Sequence, residues 1–159
     1  MAALALTACS KAAPPSIAQE FDKTTACALD GMLLADYPGP KAQIRYAGQD
    51  TPDFFCDTVE MFSIYLKPEA VRQVAALYVQ DMGATDWDNP KGAWIDAKTA
   101  LYVVGSNRNG SMGPTIASFA KEDAAKKFIG QFGGRLYKFS EITPEMVDLG
   151  GGALHDAPM

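Results

Sequence analysis

The residues best suited to chemistry in this chain are soft donors: the thiols of Cys27 and Cys56, the thioethers of Met32, Met82 and Met112, and the one imidazole, His155. Cys27 and Met32 bracket the stretch Cys27-Ala28-Leu29-Asp30-Gly31-Met32, where Gly31 can bend the backbone sharply. A thiolate with a thioether selects Cu(I) over hard cations. Cys27 sits among turn-forming residues and outside any strand pattern, which suits a thiolate ligand. Met32 is the second candidate ligand, although Leu33-Leu34 beside it suit a core position equally well. Met112 is the third, because packing explains an apolar side chain in the polar, glycine-rich stretch 107–114 poorly. Met82, directly after an apolar strand, is a weaker version of the same case. His155 lies in a glycine-rich tail able to swing onto a site, and imidazole is an acceptable copper donor. Cys56, between Phe55 and Asp57, reads as a buried core residue. Taken alone, a methionine is most often a core filler and a single cysteine a small buried hydrophobe.

Signatures of enzymes are missing from the same inventory. One histidine in a tail does not build a Ser-His-Asp site. There is no phosphate-cradling GxxxxGK[ST] and no zinc spacing of His and Cys. Trp87, Trp94, Tyr78 and Tyr102 read as core or surface aromatics. The 159 residues carry a formal charge of −5, which excludes the dense Lys/Arg surface of a nucleic-acid binder. With 48% hydrophobic residues the chain can bury a substantial core.

At the start, Leu6-Thr7-Ala8-Cys9 follows a short apolar run and precedes Ser10-Lys11 and Ala12-Ala13-Pro14-Pro15. That order resembles a bacterial lipoprotein signal in which Cys9 becomes the lipidated first residue. Met1 to Ala8 contains no Lys or Arg, so the basic region of such a signal is missing and the start is read as truncated. Residues 10–20 are expected to act as a tether. No apolar run approaches the roughly 20 residues that cross a bilayer, so the protein is expected to be anchored and not spanning. With Cys9 lipidated, Cys27 and Cys56 remain, and a disulfide between them is possible in an oxidising compartment.

These donors need elements to position them. Tyr37-Pro38-Gly39-Pro40 is a turn signal. Residues 42–46 alternate as a strand, 54–56 form a short apolar strand, and Asp57 with Glu60 is a capping pattern opening a helix to Leu66. Pro68 interrupts it, and 74–79 is a continuous apolar strand. Strands follow at 93–96, 101–104 and 115–119, then an amphipathic helix over 122–132 ended by Gly133-Gly134, and a closing strand over 135–139. Each half thus gives strands, a helix and a strand. The fold class is α+β, with two ββαβ-like units, about 21–83 and 84–148, packed as one domain over 21–148. Residues 1–9 form the signal, and 149–159 are expected to be a flexible tail.

Several blocks together resemble the NosL family. They are the lipoprotein-like start, Cys27 to Met32, Pro38 to Ile44, Tyr78-Val79-Gln80-Asp81-Met82-Gly83, Trp87 with Trp94-Ile95-Asp96-Ala97, Ser111-Met112-Gly113 and Phe132-Gly133-Gly134. The resemblance implies a Cu(I) chaperone, not an enzyme, supporting assembly of the copper–sulfide centre of nitrous-oxide reductase in denitrification. It implies partners in that reductase and its membrane-bound maturation complex. A periplasm-facing lipid anchor, palmitate included, in the outer membrane would follow, as would a fold related to organomercurial lyase. Many members of the family carry a compact Cys-Gly-Met at the motif, whereas here Ala28-Leu29-Asp30-Gly31 separates the donors. The alternatives are a docking scaffold without metal and a lyase-like enzyme.

Overall fold

The computed structural model describes residues 17–149, so Cys9, His155, and the signal and tail expected around them lie outside the described residues. Four antiparallel strands make the first sheet in the order β2-β1-β3-β4: β1 Ala42–Tyr46, β2 Asp53–Phe55, β3 Val74–Gln80 and β4 Trp94–Asp96. Helix α1, Thr58–Tyr65, links β2 to β3 and buries Met61 and Phe62 against this sheet, where Ile44, Leu77 and Val79 are also buried. The second sheet has the order β8-β5-β9, from β5 Leu101–Val104, β8 Ala117–Phe119 and β9 Arg135–Lys138. Helix α2, Glu122–Phe132, lays Ala125 and Phe128 on that sheet beside Val103, Ala117 and Phe119. The α+β class and the strand–helix–strand order expected from the pattern are both present. The helix end at Gly133, with a positive φ of 72°, is also where the sequence puts it.

The two sheets share one main core. Phe62 of α1 meets Tyr102 of β5 edge-on with ring centroids 5.1 Å apart, and Phe139 lies 5.4 Å from Phe62. The Tyr102 hydroxyl, buried with its ring, donates to the Ala97 carbonyl at 2.6 Å, so the polar tip of a core aromatic is satisfied. Ser118 Oγ donates to the Gln80 carbonyl at 2.6 Å, linking β8 to the end of β3.

Several details depart from the sequence pattern. Residues 107–114, read as a loop, close into a small hairpin of β6 Asn109–Gly110 and β7 Gly113–Pro114. The segment 17–20, assigned to the tether, is bound along β1 and its neighbours. Gln43 exchanges two hydrogen bonds with the Gln19 backbone, and Arg45 donates to the Ile17 carbonyl. Cys56 falls just beyond β2, where the chain turns into the cap of α1.

Candidate metal centre

The Cys27 loop is fixed by its own backbone. Cys27 N–H donates to the Met32 carbonyl at 2.7 Å, Gly31 N–H donates back to the Cys27 carbonyl at 2.9 Å, and Ala26 bridges Leu33. Gly31 has a φ of +79°, a left-handed conformation that the turn requires and that an L side chain resists. Asp30 Oδ1 accepts from Met32 N–H at 2.9 Å, an Asx-type turn that shapes the loop further. Below the loop, Leu34 is fully buried and acts as the apolar anchor. Ala28 N–H donates to the Phe54 carbonyl at 2.7 Å and so docks the loop on β2. Because β2 runs straight into Cys56, this docking brings the second cysteine to the first.

Cys27 and Cys56 are both buried and both free thiols. Their sulfurs and a carboxylate oxygen of Asp30 all lie within 4.8 Å of one another. The sequence placed Cys56 in the core, which it occupies, and allowed a disulfide to Cys27; the structure brings the two sulfurs together with both thiols free. Glu60 was also unforeseen as a site residue. In place of closing a capping box, its carboxyl sits on the Cys27 sulfur, with Oε2 3.1 Å from Sγ. Leu29 N–H points at the same sulfur from 3.4 Å. No local signal points to Glu60, because its contact with Cys27 joins residues 33 positions apart.

This surrounding sets the charge of Cys27. The Cys56 thiol turned toward it is the largest cause holding its pKa down at about 5, with the Glu60 carboxyl adding to the effect and burial opposing it. Burial, then the same contact with Cys27, pushes Glu60 up to about 9. Cys56 is driven far upward by its hydrogen bond to Cys27 and by burial, so it keeps its proton. These shifts favour the anionic form of Cys27 beside the protonated forms of Cys56 and Glu60. The Cys56 thiol also lies 3.5 Å from the Met32 carbonyl.

Lys41 supplies the nearby positive charge. It is fully buried, yet its Nζ donates to the carbonyls of Tyr37, Pro38 and Cys56 at 2.8, 3.0 and 3.0 Å. Three donors with three acceptors make a buried ammonium tolerable. Burial lowers its pKa to about 8, so it is still mostly charged at neutral pH.

The methionines are distributed unevenly. Met32 is half-buried and packs against the main core beside the thiols. Met112 is 56% exposed at the tip of the β6–β7 hairpin. That hairpin is tied to the cap of α1 by Ser111 N–H, which donates to Asp57 Oδ2 at 3.3 Å. Gly110 passes so close to Asp57 that any Cβ there would collide with its carboxylate. Met82 packs with Phe119 and Phe128 in the second cluster, apart from the cluster that contains Cys27.

Chemically, this is a small α+β protein in which two buried free thiols lie side by side, a donor pair suited to a soft cation. The chain belongs to the NosL family, whose model matches residues 18–147. It is 41% identical over 142 residues to the copper-binding lipoprotein NosL of Stutzerimonas stutzeri, covering 86% of this chain and 73% of that one. The corresponding protein of Achromobacter cycloclastes is 40% identical over 152 residues, 92% of this chain and 79% of its own. The crystal structure of the copper chaperone NosL from Shewanella denitrificans superposes with a TM-score of 0.79 at 44% identity, over 83% of this chain and 99% of that one. These relatives are named as copper-binding proteins or chaperones, not as enzymes.

Proposed function

We propose that this protein binds Cu(I) and carries it, as a lipid-anchored chaperone facing the periplasm, to the copper centre of nitrous-oxide reductase. The observation that carries the reading is the buried Cys27 sulfur, set within 4.8 Å of the Cys56 sulfur and 3.1 Å from Glu60 Oε2 on a loop bent at Gly31. The Cys56 contact, and then that of Glu60, lower its pKa and favour the thiolate. A chaperone needs a donor strong enough to keep Cu(I) from adventitious thiols, and an incomplete shell that an incoming ligand can attack. A thiolate with neutral thioethers supplies both. Cys27 is the principal ligand in this reading, Met32 the second, and Met112 an exposed thioether suited to the exchange step. His155 is a further candidate. The copper-binding names of relatives at 40–41% identity support the cargo. Their designation as lipoproteins supports an anchor at Cys9, and the outer membrane is the location proposed from the family resemblance. The reductase and its membrane-bound maturation complex are the partners proposed from the family resemblance.

Anaerobic titration with Cu(I) against a competing chelator tests this. The parent protein should take one tight equivalent. Cys27→Ser should abolish tight binding. Met32→Leu should weaken it without unfolding the domain, because the exchange nearly conserves volume. Retention of one equally tight equivalent by Cys27→Ser would show that the motif is not the copper site.

A further inference from the structure

The sequence presents one cysteine as the copper ligand and the other as core. The structure sets the two side by side, and Cys56 is the feature that the single-thiolate reading leaves without a role. Its sulfur and that of Cys27 lie within 4.8 Å of each other, with no disulfide between them. An ion bound to two thiolates through bonds of about 2.3 Å needs sulfurs roughly 4.0–4.6 Å apart for a trigonal or linear arrangement. The upper bound of 4.8 Å on the observed pair is compatible with that span.

Three further features bear on the same point. Glu60 is fully buried, and its Oε1 has no hydrogen-bond partner although Oε2 lies on the Cys27 sulfur. A buried polar atom left unpaired beside two free thiols marks a place where a further group belongs. Lys41 brings a buried positive charge, with Nζ 3.0 Å from the Cys56 carbonyl. Cu(I) between two thiolates carries a net charge of −1, and Lys41 offsets it, so the loaded pair need not bury an uncompensated charge. The third member of the cluster, Asp30, is a hard oxygen donor on an exposed loop, and its Oδ1 already accepts from Met32 N–H. Its part is to shape the loop, because soft Cu(I) takes sulfur ahead of carboxylate.

We propose that Cys56 is a second thiolate ligand, so that the buried Cys27–Cys56 pair grips a Cu(I) ion between two sulfurs; this rests on the copper reading above. Binding forms two copper–sulfur bonds and expels the Cys56 thiol proton to solvent. Copper stays Cu(I), and no oxidant or reductant takes part. Residues 28–31, all exposed, form the loop that follows Cys27, and Gly31 gives that loop its bend. The dithiolate mode is the closed, holding state. Met32 and Met112 are the neutral sulfurs through which the ion leaves.

The test is a count of thiolates per copper by sulfur and copper X-ray absorption on the full chain loaded anaerobically with Cu(I), joined to titration against a chromophoric Cu(I) chelator. The parent protein should show two thiolates per ion. Cys56→Ala should keep its fold by circular dichroism, since Lys41 binds the backbone of residue 56 and not its side chain. It should show one thiolate and an affinity lower by on the order of a hundredfold. One thiolate per copper in the parent, or unchanged affinity in Cys56→Ala, overturns the proposal and leaves the copper reading standing. Should Cys56→Ala fail to fold, the thiolate count of the parent decides the matter by itself. A parent that binds no Cu(I) overturns the copper reading and this inference with it.

Discussion

At the scale of single residues, Cys27 and Glu60 behave as one unit holding one proton. Cys27 alone would make stability rise with pH. Its folded pKa of about 5 lies below the ordinary 9.0, so its contribution is present above 9.0 and lost as pH falls toward 5. Glu60 alone would do the reverse. Its folded pKa of about 9 lies above the ordinary 4.5, so its contribution is present below 4.5 and lost as pH rises through about 9. Over the shared window the two slopes oppose each other, because the proton that Cys27 releases on folding is the one that Glu60 gains. Chemical denaturation of the apo protein at a series of pH values should therefore show little dependence from this pair between about pH 5 and 9. Glu60→Gln should uncover the rising slope of Cys27, and Cys27→Ser the falling slope of Glu60. Flat profiles in both variants would mean that the two groups do not share a proton. Cys27 was legible in the sequence because a thiol among turn residues is poorly explained by strand packing. The partnership with Glu60 was not, because a contact 33 residues apart decides it, and for Cys56, 29 residues away, the sequence offered only a possible disulfide. Spacing within the helix suggested only a cap.

At the scale of elements, Asp57 joins three pieces of the molecule. Its Oδ1 accepts from Val59 N–H at 2.9 Å as the cap of α1, and from Thr115 Oγ1 at 2.5 Å. Its Oδ2 accepts from Ser111 in the hairpin that bears Met112. Burial raises its pKa to about 6 against these hydrogen bonds, so the carboxylate is still ionised at neutral pH. Asp57→Ala should cost about 1–3 kcal/mol, combining a lost cap with buried donors left unpaired. Asp57→Asn should cost less, because an amide oxygen can still cap α1. Thermal unfolding measures both, and an Asp57→Ala variant as stable as the parent would remove the residue's structural role. The cap itself was visible in the sequence, as were both helices and the continuous apolar strand β3. The hairpin was not, for Asn109-Gly110 and Gly113-Pro114 carry no alternation of apolar and polar side chains. It forms where Gly110 can pass against Asp57, a tertiary fit with no local signal.

At the scale of the whole molecule, the main core extends from the Cys27 loop through both sheets, so the site is built on rigid packing while the loop after Cys27 stays exposed. The N-terminal attachment follows the same economy of parts. Ile17 and Gln19 are bound along β1, and residues 10–16 separate Ile17 from Cys9 in the sequence. Seven residues span at most about 25 Å when fully extended. A lipid at Cys9 would thus keep the domain close to the bilayer surface. Among the described residues no helix is long and apolar enough to cross a membrane, and the formal charge of −5 offers no attraction to anionic lipid. Membrane association in this reading depends on Cys9 alone. Expressed behind a complete lipoprotein signal, the parent should fractionate with membranes, and Cys9→Ser should move to the soluble periplasmic fraction. Copper stoichiometry should be equal in the two, since neither Cys27 nor Cys56 is touched. A Cys9→Ser protein that stays with the membrane would show that another part of the chain holds it there.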